Sequence, residues 1–252
     1  MQKSTKSVRD YSKGYSSVTF ALLTMNKLTK LSVLGLACMA LLLGSNFVIE
    51  RTFSKKQVHA IKHIAKNDSL VRLRDGDIIF QSSFSGQSKA IQLATHSKFS
   101  HCGILFFENN QWFVYEAVQP VKKTAFEKWI THGDNNAYKI MRLKEADQLL
   151  NAAGTKALKA ECIKHLGKDY DLTFEWSDNR IYCSELVWKA YKNALKLQVG
   201  ELQALKDFDL THPAVKEKLK ERYGSNIPYN ETVISPGKIA ESNLLFTVSD
   251  TF

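Results

Sequence analysis

The sequence predicts an α+β domain, an antiparallel sheet packed against helices, preceded by one N-terminal apolar segment. Three stretches carry that expectation. HCGILFFENNQWFVYEAV, residues 101–118, sets two runs rich in β-branched and aromatic residues around Asn109-Asn110, a hairpin signal. CSELVWKAYKNAL, from Cys183, repeats apolar residues at Leu186, Val187, Ala190, Tyr191 and Leu195, one stripe of a helix. LSVLGLACMALLLGSNFVI, residues 31–49, has no charge and is long enough to span a bilayer at the ~18–20 residues a helix needs.

The elements between these follow from local patterning. Residues 1–30 are basic, and 50–74 read as a polar helical connector in which His59 and His63 fall on a solvated face. The folded domain is expected over 75–252. DGDIIFQ (75–81) reads as a turn and a short strand, and SGQSKAIQLATHS (85–97) as a helix capped by Ser85 or Ser88. Cys162, in KALKAECIKHLG, reads as a helix core residue. LTHPAVKEKLKERYG is a charged helix with Pro213 in its first turn and Gly224 just past its end.

Composition narrows the function. With 44% apolar and 24% charged residues the chain is globular rather than disordered. Half of its net charge of +10 lies within residues 1–30, where Lys3, Lys6, Arg9, Lys13, Lys27 and Lys30 outnumber the lone Asp10. That asymmetry is a topology signal rather than a nucleic-acid footprint, and it leaves residues 50–252 on the far side of the membrane. The domain is therefore expected in the cell envelope. Residues 31–49 serve as an inner-membrane anchor, a cleaved signal or, with LGLAC ending at Cys38, a lipoprotein segment. Met25 is an alternative start. Four cysteines exclude a disulfide-dense scaffold, and no C-x-x-C pair suggests a zinc or redox site. No metal or cofactor is expected.

Cys183 draws attention because a thiol in the first turn of a helix feels the N-terminal dipole, which favours the thiolate. Asp178 and Asn179 are the expected caps. If Asn109-Asn110 form a two-residue turn, Leu105 faces Val114 and Gly103 faces Glu116, so His101, Gly103 and Glu116 share one sheet face. His101 and Glu116 are then diagonal neighbours, roughly 7–8 Å apart by backbone, with Gly103 leaving room between them. A carboxylate in FVYEAV needs a partner, because burying an unpaired charge is costly. Thiol, imidazole and carboxylate together are what covalent catalysis requires. Read singly, each residue also has a plain structural role. The main-chain N–H of Cys183 is one expected oxyanion donor, with Gln81, Ser82 or Tyr182 as another. Cys102, next to His101, should point to the opposite face and stay out of the site.

SHCGI, YEAV and YCSELVWKAY resemble the YiiX-like family, the circularly permuted branch of the NlpC-type papain-like cysteine peptidases. The likeness runs from GDIIF at 76–80 through QSKAIQLATH, GKDYDLTFEWSDNRIYCSEL and FDLTHPAVKEKLKERYG to NIPYNETVISP. The resemblance implies a permuted papain-like fold in which His precedes Glu and Cys in the chain. It also implies a peptidase or amidase with Cys183 as nucleophile, His101 as base and Glu116 as the orienting residue. The same branch is similar to lecithin:retinol acyltransferase-like enzymes. Expected substrates are therefore a peptide or cell-wall peptide or, alternatively, a lipid acyl group. A non-catalytic binding module is the remaining alternative.

Overall fold

This computed structural model describes residues 73–252. The chain divides into two units, Met1–Asn67 and Asp68–Phe252, and the described residues belong to the second. The basic segment 1–30, the apolar segment 31–49, His59, His63 and all but the end of the connector lie outside the described residues. Among the described residues, no helix is long and apolar enough to cross a membrane.

The element order is β1 (Ile78–Gln81), α1 (Gly86–Thr95), β2 (His101–Glu108), β3 (Gln111–Glu116), β4 (Lys122–Ala125), α2 (Phe126–Ile130), β5 (Lys139–Leu143), α3 (Ala146–Leu149) and α4 (Ala152–Lys164). Then follow α5 (Cys183–Leu195), β6 (Gln203–Ala204), α6 (Pro213–Tyr223), β7 (Thr232–Val233), α7 (Pro236–Ala240) and β8 (Leu245–Asp250). Six strands form one antiparallel sheet in the order β4-β3-β2-β1-β5-β8, and β6 pairs with β7 separately.

The β2–β3 hairpin has the expected register: Leu105 faces Val114 and Ile104 faces Tyr115. Asn109 and Asn110 both take positive φ, 48° and 62°, as a two-residue turn matched to the strand twist requires. Gly103 is obligatory for a different reason. A Cβ there would stand 2.4 Å from Val114 Cγ1 and 2.7 Å from the Tyr115 carbonyl oxygen.

Strand alternation divides the interior into two cores. Ile78, Phe80, Cys102, Ile104, Phe106 and Tyr115 face the layer of α4 and α5, where Leu158, Cys162, Leu186, Val187 and Tyr191 meet them. Ile79, Leu105, Val114 and Ile140 face the other way, against Phe126 and Trp129 of α2. Each such aliphatic or aromatic side chain, fully buried, contributes roughly 1.5–3 kcal/mol. The start of β1 is tied down by Asp77, which receives Arg142 Nε at 2.6 Å and a second guanidinium nitrogen at 2.8 Å.

The cap expected at Asp178 or Asn179 is corrected. The N-cap is Tyr182, so Cys183 is the first residue of α5, and Glu185 reaches back to accept the Tyr182 N–H at 3.4 Å. Asp178 is drawn away by Lys189, whose Nζ stands 2.7 Å from it. At α1, Ser85 is the cap, while Ser88 turns inward to bond Ser100 at 2.5 Å.

Candidate active site

Glu116 ends β3 with its carboxylate turned towards α2, only 2% exposed. Three donors surround it: His101 Nε2 at 2.6 Å, Trp129 Nε1 at 2.8 Å and Thr124 Oγ1 at 2.5 Å. Burial pushes its pKa up, but the hydrogen bonds and the charge of His101 outweigh this and hold it below the ordinary carboxylate value. Trp129 also stacks on the His101 ring, with centroids 5.9 Å apart. The imidazole is thus fixed by two side chains, of which sequence reasoning names one.

With Nε2 committed to Glu116, Nδ1 is the ring nitrogen left free towards Cys183, which is near enough to act on the ring's ionisation. Burial draws the His101 pKa down. The hydrogen bonds and negative charges of Cys183 and Glu116 reverse that and raise it to about 10. The Cys183 thiol moves the other way, well below its ordinary value. The hydrogen bond from the Cys102 side chain contributes most, burial opposes it, and His101 adds a further hydrogen bond and charge.

The Cys102 side chain lies as expected on the face opposite Glu116, in the core shared with α5, and from there it influences the ionisation of Cys183.

Two cavities meet here. A narrow apolar one, about 90 Å³, runs between α1 and α6 and includes Cys183, Phe174, Tyr182, Leu219 and Ile234 in its walls. A more open cleft, about 480 Å³, is walled by Gln81, Ser83, Ser100, His101, Glu116 and Gln119 among others. Gln87, Ile91 and Tyr170 belong to both, and Gln87 Nε2 donates to the Tyr170 hydroxyl at 3.1 Å.

The expected oxyanion donors separate on this geometry. Gln81 is buried on the cleft wall opposite His101 in register, with Oε1 lacking a partner. Ser82 lines neither cavity, and its carbonyl accepts the Asp134 N–H at 2.8 Å. Tyr182 faces the apolar cavity, where its hydroxyl accepts the Ile234 N–H at 3.1 Å. Tyr170, which the sequence did not single out, is better placed. A parallel bridge pairs it with Ile181, two residues before Cys183, and its main-chain N–H is pinned by Gln119 Oε1 at 2.7 Å. Burial and the negative charge of Cys183 push its hydroxyl well above the ordinary tyrosine value, so it stays a donor. Its signal in the sequence was only its place in GKDYDLTF.

A family model described as "Permuted papain-like amidase enzyme, YaeF/YiiX, C92 family" matches residues 72–249. The chain belongs to this family. It is 51% identical over 174 residues to the uncharacterized protein YiiX of Escherichia coli strain K12, covering 69% of this chain and 85% of that protein. The crystal structure of metalloprotein yiiX from Escherichia coli O157:H7 aligns with a TM-score of 0.69 at 50% identity, covering 72% of this chain and 99% of that one. The C92 family membership makes the permuted papain-like fold, and a cysteine amidase or peptidase ancestry, properties of this chain. The word metalloprotein belongs to that relative: among the described residues of this chain, no group of three or more His, Cys, Asp and Glu side chains could hold a metal ion.

Proposed function

We propose that this chain is a cell-envelope cysteine hydrolase that cleaves an amide bond through a thioester. The observation that carries the reading is the His101–Glu116 hydrogen bond beside Cys183, the first residue of α5. The Cys183 thiolate attacks the carbonyl carbon, and the oxyanion that forms takes hydrogen bonds from the Cys183 main-chain N–H and from Tyr170 or Gln81. The His101 imidazolium gives its proton to the leaving nitrogen as the thioester forms. The neutral ring then takes a proton from water, whose attack releases the acid and restores the thiolate. Glu116 holds the ring in one tautomer and orientation and balances its charge. The export expected from residues 31–49 belongs to the same proposal, with a peptide or cell-wall peptide as substrate.

One observation favours a second reading in which the acyl side of the scissile bond is a lipid chain. The cavity that includes Cys183 is lined almost wholly by apolar side chains, with Lys218 and Arg222 on its α6 wall. The cleft on the His101 side has a mixed lining, with Gln81, Ser83, Ser100 and Gln119 among its polar side chains.

The test incubates the full chain with an acyl p-nitroanilide series of increasing chain length and with short peptide p-nitroanilides, read by p-nitroaniline release and intact mass. A covalent acyl adduct on Cys183, absent in Cys183→Ala, is the expected result. Turnover that survives Cys183→Ala overturns the proposal. For the lipid reading, Leu219→Trp should depress cleavage of long chains by about tenfold relative to short ones. Equal effects on both would leave only the peptide reading.

A further inference from the structure

We propose that Arg222, with Lys218 one turn before it on α6, is a specificity-determining residue that selects substrates carrying an anionic oxygen group, a carboxylate or a phosphate, on the acyl side of the scissile bond. This role depends on the reading of Cys183 given under Proposed function and narrows its substrate to one chemical class.

The cavity that includes Cys183 has two cations, Lys218 and Arg222, and no carboxylate in its walls. Charge of one sign in an otherwise apolar site favours an occupant of the opposite sign. Arg222 is half-buried, and its guanidinium lies over the Phe174 ring, 4.6 Å from the centroid. That cation–π contact uses none of the five N–H donors. Among the described residues, the Arg222 guanidinium has no hydrogen-bond or ion-pair partner. Arg74, Arg142 and Arg180 differ in this, because their guanidinium groups meet Asp147, Asp77 and Glu175. An arginine left without an anion on a cavity wall is a fork ready for one, and its planar donors match carboxylate and phosphate oxygens.

The fold holds this group close to the nucleophile. Phe174 meets the Tyr182 ring edge-on, with centroids 5.0 Å apart, and Tyr182 directly precedes Cys183. Two ring contacts therefore link the guanidinium to the start of α5. The Tyr223 hydroxyl donates to the Thr173 carbonyl, which ties the end of α6 to the segment carrying Phe174. Lys218 reaches from α6 to the start of α1, where its Cε stands 3.7 Å from the position a Cβ on Gly86 would take. Its Nζ pairs with the exposed Glu221 and keeps further donors for an anion in the cavity.

The experiment treats the full chain at neutral pH with N-iodoacetyl-aminohexanoate, its uncharged carboxamide counterpart and the matching phosphonate, and follows modification of Cys183 by mass spectrometry. The readout is the rate ratio of charged to uncharged label, in which any change in the intrinsic reactivity of Cys183 cancels. Wild type should prefer an anionic label by roughly 10–100-fold, the range of one charge-assisted hydrogen-bonded contact. Whichever of the carboxylate and phosphonate labels is favoured assigns the group. Arg222→Met should bring the ratio close to one, and Arg222→Lys, which keeps the charge without the fork, should retain part of it. Lys218→Met should lower the ratio several-fold. Lys220→Met removes an exposed cation of the same helix that does not line the cavity, and should leave the ratio unchanged. If Arg222→Met does not fold, Arg222→Gln makes the same comparison. A wild-type ratio near one, a ratio that survives loss of the Arg222 charge, or one that Lys220→Met lowers equally overturns the proposal. A Cys183 that no label modifies faster than Cys162 would instead overturn the underlying reading of Cys183.

Discussion

At the residue scale the candidate site opposes burial with charge. Glu116, His101 and Cys183 are each pushed by burial towards neutrality, and the neighbours of each shift it back towards its charged form. His101 titrates higher in the folded chain than its reference value of 6.5. Its proton therefore stabilises the fold fully below pH 6.5, and that contribution is lost as the pH rises through about 10. Glu116 is depressed below 4.5, so its contribution is present above 4.5 and is lost as the pH falls through the depressed value. Changing Glu116 to Gln removes the anion that helps hold the His101 proton. The alkaline limb of kcat/KM should then move down from about 10, and kcat should fall by roughly 10²-fold. An unshifted limb in Glu116→Gln would show that Glu116 does not act on the ring. Of these residues, His101, Glu116 and Cys183 were legible because their pattern demands a partner. Trp129, Thr124 and Tyr170 were not, because each looks like an ordinary packing or loop residue until the fold brings it to the site.

At the element scale, the β2–β3 hairpin was readable because its information is local: two β-rich runs and a two-residue turn fix a register. The pairings of β1 with β5 and of β5 with β8 join strands far apart in sequence, and no local pattern announces them. The start of α5 was read a few residues early because Asp178 and Asn179 have good capping chemistry, yet Lys189 holds the Asp178 carboxylate. For Cys102, alternation told which face it takes, but not that the helix carrying Cys183 covers that face. Gly103 is where hairpin and site depend on each other. Changing it to Ala drives a methyl group into Val114 and the Tyr115 carbonyl, which should destabilise the fold by about 1–3 kcal/mol. The variant should also spread His101 from Glu116. A urea midpoint and a Cys183 alkylation profile indistinguishable from wild type would refute the claim that this close approach sets the site.

At the scale of the whole molecule, the proposed base and carboxylate come from the sheet and the proposed thiol from the helix layer, and two cavities meet beside them. The Gln87–Tyr170 hydrogen bond forms part of their common wall. Tyr170→Phe keeps the ring and loses the hydroxyl. It should lower kcat by about 10²–10³-fold while leaving the alkylation of Cys183 almost unchanged, since alkylation forms no oxyanion. A kcat near wild type would give the oxyanion role to Gln81 instead. C92 family membership fixes the fold and the broad chemistry.

The central claim is that Cys183 is a thiolate held by His101, and it is tested most directly by site-resolved alkylation of the full chain with iodoacetamide across pH 4–10. Cys183 should react with a midpoint well below the ~8.5 of a free thiol, and His101→Ala should abolish that advantage. A Cys183 that reacts no faster than Cys162, or only once the protein unfolds, would contradict the account and leave the cysteine at the start of α5 as core packing.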